Sequence, residues 1–243
     1  MLNTAANPYR TICMSLVASA LGAQMACAED WQYSITPYLW APSLDLSLGV
    51  GPNAPVSAGK SLLEVLDGAL LVQGEARRGR WSFLGEFNYL NLSDDFGRAP
   101  GDARAGWRMQ GTMIAFAAGY AVHDERDTRV EVIGGLRAWD LETSTTVADR
   151  RVSKDSKFID PMLGLRVETP LGQRASLQGL ATLGGSNFGS DRQVEAIAQV
   201  TWPLRGATDI SAGYRYLSLD FDDDTALIDA TMRGPFVSVT FNF

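Results

Sequence analysis

Residues Gly234–Phe243 read GPFVSVTFNF, and this stretch decides the fold class. Val237, Val239, Phe241 and Phe243 fall on one face of an extended strand, with Phe236, Ser238, Thr240 and Asn242 on the other. Strict alternation fits a strand with one apolar and one more polar face. Here it runs through to an aromatic last residue. A soluble sheet would bury the apolar face in its core. A transmembrane barrel would turn it out to lipid and give the polar face to its lumen.

The same two-residue period recurs upstream. Trp31–Ala41 places Trp31, Tyr33, Ile35 and Leu39 opposite Gln32, Ser34, Thr36 and Tyr38, with Pro37 on the apolar parity as the mark of a bulge. Ala69–Arg77 and Trp81–Leu92 form a hairpin about Arg78-Gly79-Arg80. Trp107–Val122 is a strand of unsettled phase, because Arg108, Gln110 and Thr112 share a parity with Ile114, Phe116 and Tyr120; a bulge near Gly111 would reconcile them. Strands follow over Arg129–Leu141, Phe158–Thr169, Ala175–Gly184, Val194–Trp202 and Ile210–Tyr216. Between them, Ser93–Gly106 and Glu142–Lys157 are polar and read as long loops, and the acidic run Asp220–Asp224 opens another. Gly51–Gly59 also reads as loop, and Ser61–Asp67 as one or two helical turns capped by Ser61. Leu44–Val50 is read as an extension of the first strand past the membrane, with an added hairpin over Leu44–Ser57 as the alternative.

The expectation is an all-β, antiparallel up-and-down transmembrane barrel of about ten strands, with eight or twelve as alternatives. Short and long connections alternate, and both chain ends fall on the short-turn side, the periplasmic side of such barrels. Trp31, Trp81, Tyr120, Trp202 and Phe243 cluster at the short-turn ends, where an aromatic girdle is expected, and Trp40, Tyr89 and Trp107 at the other.

Ahead of the strands, Met1–Ala28 has the form of a secretory signal. Arg10 is its one charge, Thr11–Ala26 is mostly apolar, and Ala26-Cys27-Ala28 suits cleavage before Glu29. The barrel domain is then 29–243. Lipidation at Cys27 is the rival reading, poorly served by Gln24-Met25-Ala26. Both cysteines, Cys13 and Cys27, fall in the leader, so the mature chain has no disulfide. Its formal charge of −7 becomes −8 once Arg10 is removed. An acidic chain without a Lys/Arg cluster interleaved with aromatics gives nucleic-acid binding no support.

Five segments together, Trp31–Pro42 (WQYSITPYLWAP), Gly74–Ser93, Phe158–Arg166 (FIDPMLGLR), Gly213–Asp224 and Gly234–Phe243, resemble the outer-membrane β-barrel proteins of Gram-negative bacteria, of the OmpA/OmpX-like small-barrel kind. The resemblance covers nearly the whole mature chain. It implies outer-membrane localisation, contact with lipid and lipopolysaccharide, and a monomer inserted by the barrel-assembly machinery through its last strand, with Val237, Val239, Phe241 and Phe243 as the signal. It brings no set of catalytic residues and names no substrate.

Barrel enzymes such as omptin-like proteases and lipid-A-modifying enzymes resemble the chain in architecture only. They use a histidine with a Ser or carboxylate partner near the external or lipid-facing end. The one histidine here, His123, sits in an expected periplasmic turn beside Asp124 and Glu125. No metal-spaced His/Cys set and no phosphate-binding Gly loop occurs, so no catalytic residue, metal or cofactor is assigned. The acidic last loop lacks the spacing of a calcium loop. The more informative set lies on the expected lumenal face: Glu75, Arg77, Glu86, Glu131, Arg137, Asp160, Arg166, Glu168, Glu195 and Arg215. Acids and arginines on neighbouring strands can pair across a lumen, either as a salt-bridged plug or as the lining of a narrow solute path. A barrel of about ten strands favours the plug, since about eight fill their interior with side chains and 16 or more leave a channel. The functional expectation is a structural or surface-interaction barrel, with a small diffusion channel as the alternative.

Overall fold

A computed structural model describes residues 31–50, 56–61, 66–99, 103–125, 127–147, 150–185, 189–223 and 226–243. The leader read over Met1–Ala28 lies outside them. Twelve strand segments follow in order: β1 Gln32–Trp40, β2 Ser43–Val50, β3 Val56–Ser61, β4 Leu66–Arg78, β5 Trp81–Ala99, β6 Ala103–Glu125, β7 Thr128–Val147, β8 Arg150–Leu171, β9 Ala175–Gly184, β10 Arg192–Pro203, β11 Thr208–Asp223 and β12 Ala226–Asn242. From β4 to β12 each pairs antiparallel with the next, and β1 pairs with both β4 and β12, which closes the barrel. Closure matters energetically: in lipid, an open edge would leave a row of backbone groups unsatisfied.

The barrel has ten strands. The segments β1 and β2 are two halves of the first, since Trp40↔Phe236 and Ser43↔Arg233 keep one register along β12 across the break at Ala41-Pro42, and β3 and β4, which pair with β2 and β1 in turn, make up the second. At that break Ala41 still donates to the Pro235 carbonyl at 3.0 Å. A side chain at position 234 would press within 2.4 Å of the Ala41 carbonyl, so only glycine lets the two backbones approach this closely. Pro37 marks no bulge. The register is the same on both sides of it (Ile35↔Phe241, Tyr38↔Ser238), and the Thr36 and Thr240 hydroxyls meet at 2.9 Å where the ladder skips.

Three expected loops are strands. Where they are described, the polar stretches at Ser93–Gly106, Glu142–Lys157 and Asp220–Asp224 continue β5 to β8 and β11 as paired hairpins; 100–102, 148–149 and Asp224 lie outside the described residues. Leu44–Val50 and Val56–Ser57 likewise belong to the β2–β3 hairpin, which continues the wall above β1, and 51–55 lie outside the described residues. Ser61 ends β3 and Leu66 begins β4, so the ends of the expected helical turn are strand; 62–65 lie outside the described residues. A membrane crossing needs about 9–11 residues of tilted strand. The 23 residues of β6 and 22 of β8 are twice that, whereas β9 has 10.

The surplus explains the phase of β6. No bulge occurs at Gly111; its pairings with β5 run unbroken from Tyr120 to Gly106. Arg108 and Gln110 do share the outward face with exposed Ile114 and Phe116. What changes along that face is its solvent. It is apolar where lipid covers it and polar beyond. Neighbouring strands repeat the switch: Leu136 and Ile159 point out in the apolar band, and one turn of the pleat or two higher Asp140 and Lys157 pair on the outside at 2.7 Å. The Asp140 carboxylate, hydrogen-bonded to it, holds the Lys157 ammonium protonated above the usual lysine range.

Candidate functional site: the lumen

Alternation sends one residue in two inward, and the inward set is stratified along the axis. Nearest the short turns lies a first ion-pair group. The Arg166 guanidinium donates to Glu75 Oε1 at 2.7 Å and through Nε to Glu131 Oε2 at 2.6 Å. Arg77 bridges Glu75 and Glu168 at 3.0 and 3.3 Å. Arg129, the second residue of β7 and on the same parity as Glu131 and Arg137, ties Glu131 to Asp124 at 2.7 and 2.6 Å.

Higher in the lumen a second group spans the barrel. Arg215 meets Glu86 at 2.7 Å and Glu195 at 2.6 Å, and Arg137 also pairs with Glu195. The Tyr38 hydroxyl lies 2.7 Å from Glu86 and from Asn88 and accepts from Arg215 Nη1 at 2.6 Å. Asn88 donates to Glu86 at 2.9 Å. Arg137, Glu195 and Arg215 are at most 2% exposed, so each charge depends on its partners. Nine of the ten expected lumenal charges thus fall into these two groups. Asp160 stands apart: both its oxygens hold Ser190, one through the backbone N–H at 2.8 Å and one through the hydroxyl at 2.6 Å. That holds Ser190, just ahead of β10, inward. Tyr38 and Asn88 were readable, since both lie on the polar parity with their hydrogen-bonding ends inward. Ser190 was not, because nothing local signals that its loop turns in.

Above the second group the interior becomes apolar. Tyr38, Trp40, Leu71, Met113, Trp139, Leu141, Phe158, Leu217, Leu219 and Phe236 form one buried cluster, contributed by β1, β4, β6, β7, β8, β11 and β12. Trp40 therefore lies in the lumen and not in an outer girdle, because it shares its parity with Gln32, Thr36 and Tyr38. Trp139 and Phe158 stack with centroids 6.4 Å apart. Arg215 joins the two layers, its guanidinium 5.0 Å from the Trp40 ring centroid. Side chains from opposite walls meet here, so the lumen is filled at this level.

On the outside, Leu39, Phe116, Leu136, Leu163 and Leu183 are all more than half exposed in one apolar band. A patch this extensive is what a barrel turns to lipid. At its short-turn end Trp81, Tyr120, Trp202 and Phe243 are exposed, with Trp81 and Tyr120 edge to face at 4.9 Å. Trp31 precedes β1 and is half-buried, and the side chain of Trp107 lies outside the described residues. Val237 and Phe241 point outward with Phe243. His123 is exposed at the end of β6, on the short-turn side. Among the described residues no group of three His, Cys, Asp or Glu is placed to hold a metal ion.

No family model matches the sequence, and no curated protein matches it. Solved structures do. The outer-membrane protease OmpT from Escherichia coli is similar with a TM-score of 0.61 at 8% identity, over 91% of this chain and 99% of that one. The translocator domain of the autotransporter NalP from Neisseria meningitidis is similar with a TM-score of 0.50 at 13% identity, over 97% and 96%. At such identities the likeness carries the fold alone. Taken with the closed ladder and the outward apolar band, it makes this chain an outer-membrane β-barrel protein.

Proposed function

We propose that the protein, exported by its Met1–Ala28 signal and inserted as a monomer, acts as an occluded outer-membrane barrel. It serves the envelope structurally or through the hairpins that rise above the membrane. The observation that carries this reading is the double closure of the lumen, by the Glu86–Arg215–Glu195–Arg137 group and by the apolar cluster above it. An aqueous path would need both layers to part. The reading is non-catalytic: His123 sits at the short-turn end of β6, away from the external hairpins, and the network's charged groups are engaged with one another.

Single-channel recording of the mature protein in a planar bilayer tests it, after insertion is verified by heat-modifiable gel mobility. Inserted protein without discrete steps is the expected result. Discrete steps that change with Glu86→Gln or Arg137→Met would replace this reading by that of a small diffusion channel.

A further inference from the structure

Below the second ion-pair group the lumen is not filled. A cavity of about 590 Å³ opens at the short-turn end, with Gln32, Thr201, Asp209 and Asn242 at its mouth and Arg137 and Arg215 at its closed end. Its volume falls in the range of small-molecule sites, about 300–1,000 Å³. In the orientation common to these barrels, that mouth faces the periplasm.

The cup has two unlike walls. One, from β4 and β8, carries Glu75, Arg77, Arg166 and Glu168, already joined to one another. The other, from β9 to β12 and β1, is lined by amides and hydroxyls, among them Gln178, Gln199, Thr201, Ser211 and Thr240. These groups touch in pairs: Gln199 Nε2 donates to Gln178 Oε1 at 2.5 Å, and Thr201 and Ser211 share a hydrogen bond of 2.8 Å. A primary amide has two donors and an acceptor oxygen with two lone pairs, so one bond per pair leaves most of that capacity facing the cavity.

The closed end adds a separate observation. Arg137 and Arg215, which line it, stand against Glu86 and Glu195, two cations against two anions, and Arg166 lies between Glu75 and Glu131. No surplus cation remains to offset the desolvation of an anionic ligand, so the solute that fits is neutral. We infer that the cup binds an uncharged, polyhydroxyl solute of sugar size from the periplasmic side, through the Gln178–Gln199 wall. This goes beyond the occluded-barrel reading and rests on it only for the closed end.

The test is isothermal titration of the mature protein in phospholipid nanodiscs with lactose and with lactobionate, its anionic counterpart. Current through planar bilayers is recorded in parallel. Saturable lactose binding is expected, with lactobionate about tenfold weaker, and Gln199→Leu or the isosteric Thr201→Val should weaken lactose about tenfold with heat-modifiable mobility unchanged. Inserted, non-conducting wild-type protein that gives no saturable lactose signal overturns the inference. So does lactobionate binding as tightly as lactose, or lactose affinity that survives both substitutions. Lactose binding by a conducting protein supports the site and overturns only the closed lumen.

Discussion

The Arg215 and Glu195 side chains meet at 2.6 Å between the adjacent strands β10 and β11, each 1% exposed, in the middle of the barrel. Neither charge has water to fall back on, so removal of one leaves the other buried and short of a partner. Such losses cost about 3–5 kcal/mol. Arg215→Met and Glu195→Gln are each expected to lower the urea midpoint of the vesicle-inserted protein accordingly. Together they should cost less than the sum by at least about 1 kcal/mol, because the second change removes a charge the first has orphaned. Additive losses would mean that the pair does not act as a unit.

The apolar cluster above them is the second seal. Trp139 and Phe158 stack there from neighbouring strands. Trp139→Ala is expected to cost about 3–5 kcal/mol as a large-to-small core change. Trp139→Ala with Phe158→Ala should also raise ion leakage through liposomes above that of the wild type. Unchanged leakage in correctly inserted double variant would assign the whole closure to the charged group beneath.

Where lipid ends on the outer face can be mapped by charge. Leu163 is 64% exposed in the apolar band, and Gln110 is exposed on the outward face of β6 beyond it. Leu163→Lys is expected to destabilise by about 2–4 kcal/mol and Gln110→Lys by about 0–1. Equal costs, read from folding titrations into lipid vesicles, would move the boundary up past Gln110.

Much of this was legible in the sequence, and the reason is the period of the strand. Parity alone put Glu131, Arg137, Arg166, Glu195 and Arg215 inward and Leu136, Leu163 and Leu165 outward, because one-residue slips exchange the two faces and the membrane forbids the exchange. The same rule misled where the chain leaves lipid. Arg108 and Gln110 looked out of phase, and Glu142–Lys157 looked like loop, since a polar outer face with alternating polar neighbours carries no apolar signal. The interior of those taller hairpins, with Trp40, Trp139 and Phe158 buried as in a soluble core, depends on which strands curve together, and no local pattern encodes that. Asp160 shows the limit within the lumen itself: its parity was right, but its partner Ser190 comes from a connection whose inward course is set by tertiary contacts.

That connection offers a further test. A Cβ on Gly189 would lie 2.1 Å from Asp160 Oδ1 and 2.9 Å from the Ile159 carbonyl, so Gly189→Ala must push the Ser190 segment off the carboxylate. A buried Asp160 stripped of its two donors costs about 1–3 kcal/mol. Gly189→Ala is expected to make the β9–β10 connection cleavable by protease added outside inserted vesicles, at a rate well above wild type. Asp160→Asn, which retains an acceptor oxygen, should be cleaved more slowly than Gly189→Ala. Equal resistance in all three would mean that Asp160 does not hold the loop in.

Phe243 closes the barrel through its backbone, while its ring is exposed. The Phe243 N–H donates to the Tyr33 carbonyl at 2.8 Å, the Tyr33 N–H reaches the Phe243 carbonyl at 3.4 Å, and Asn242 donates to the Ala207 carbonyl at 2.8 Å. The two Tyr33 bonds sit at the short-turn end of the seam between β1 and β12, the one pairing that chain connectivity does not enforce, and the Asn242 bond extends the β11–β12 ladder. Two alterations separate backbone from side chain. Phe243→Ala keeps the seam and removes the exposed ring, whereas deletion of Phe243 removes both. If the ring acts as an assembly signal together with Val237, Val239 and Phe241, both variants should lose insertion in cells while Phe243→Ala still folds into pure lipid vesicles. If the residue serves the seam alone, Phe243→Ala should insert normally in cells and only the deletion should unfold at lower urea. Fractionation of the outer membrane beside an in vitro urea titration distinguishes the two.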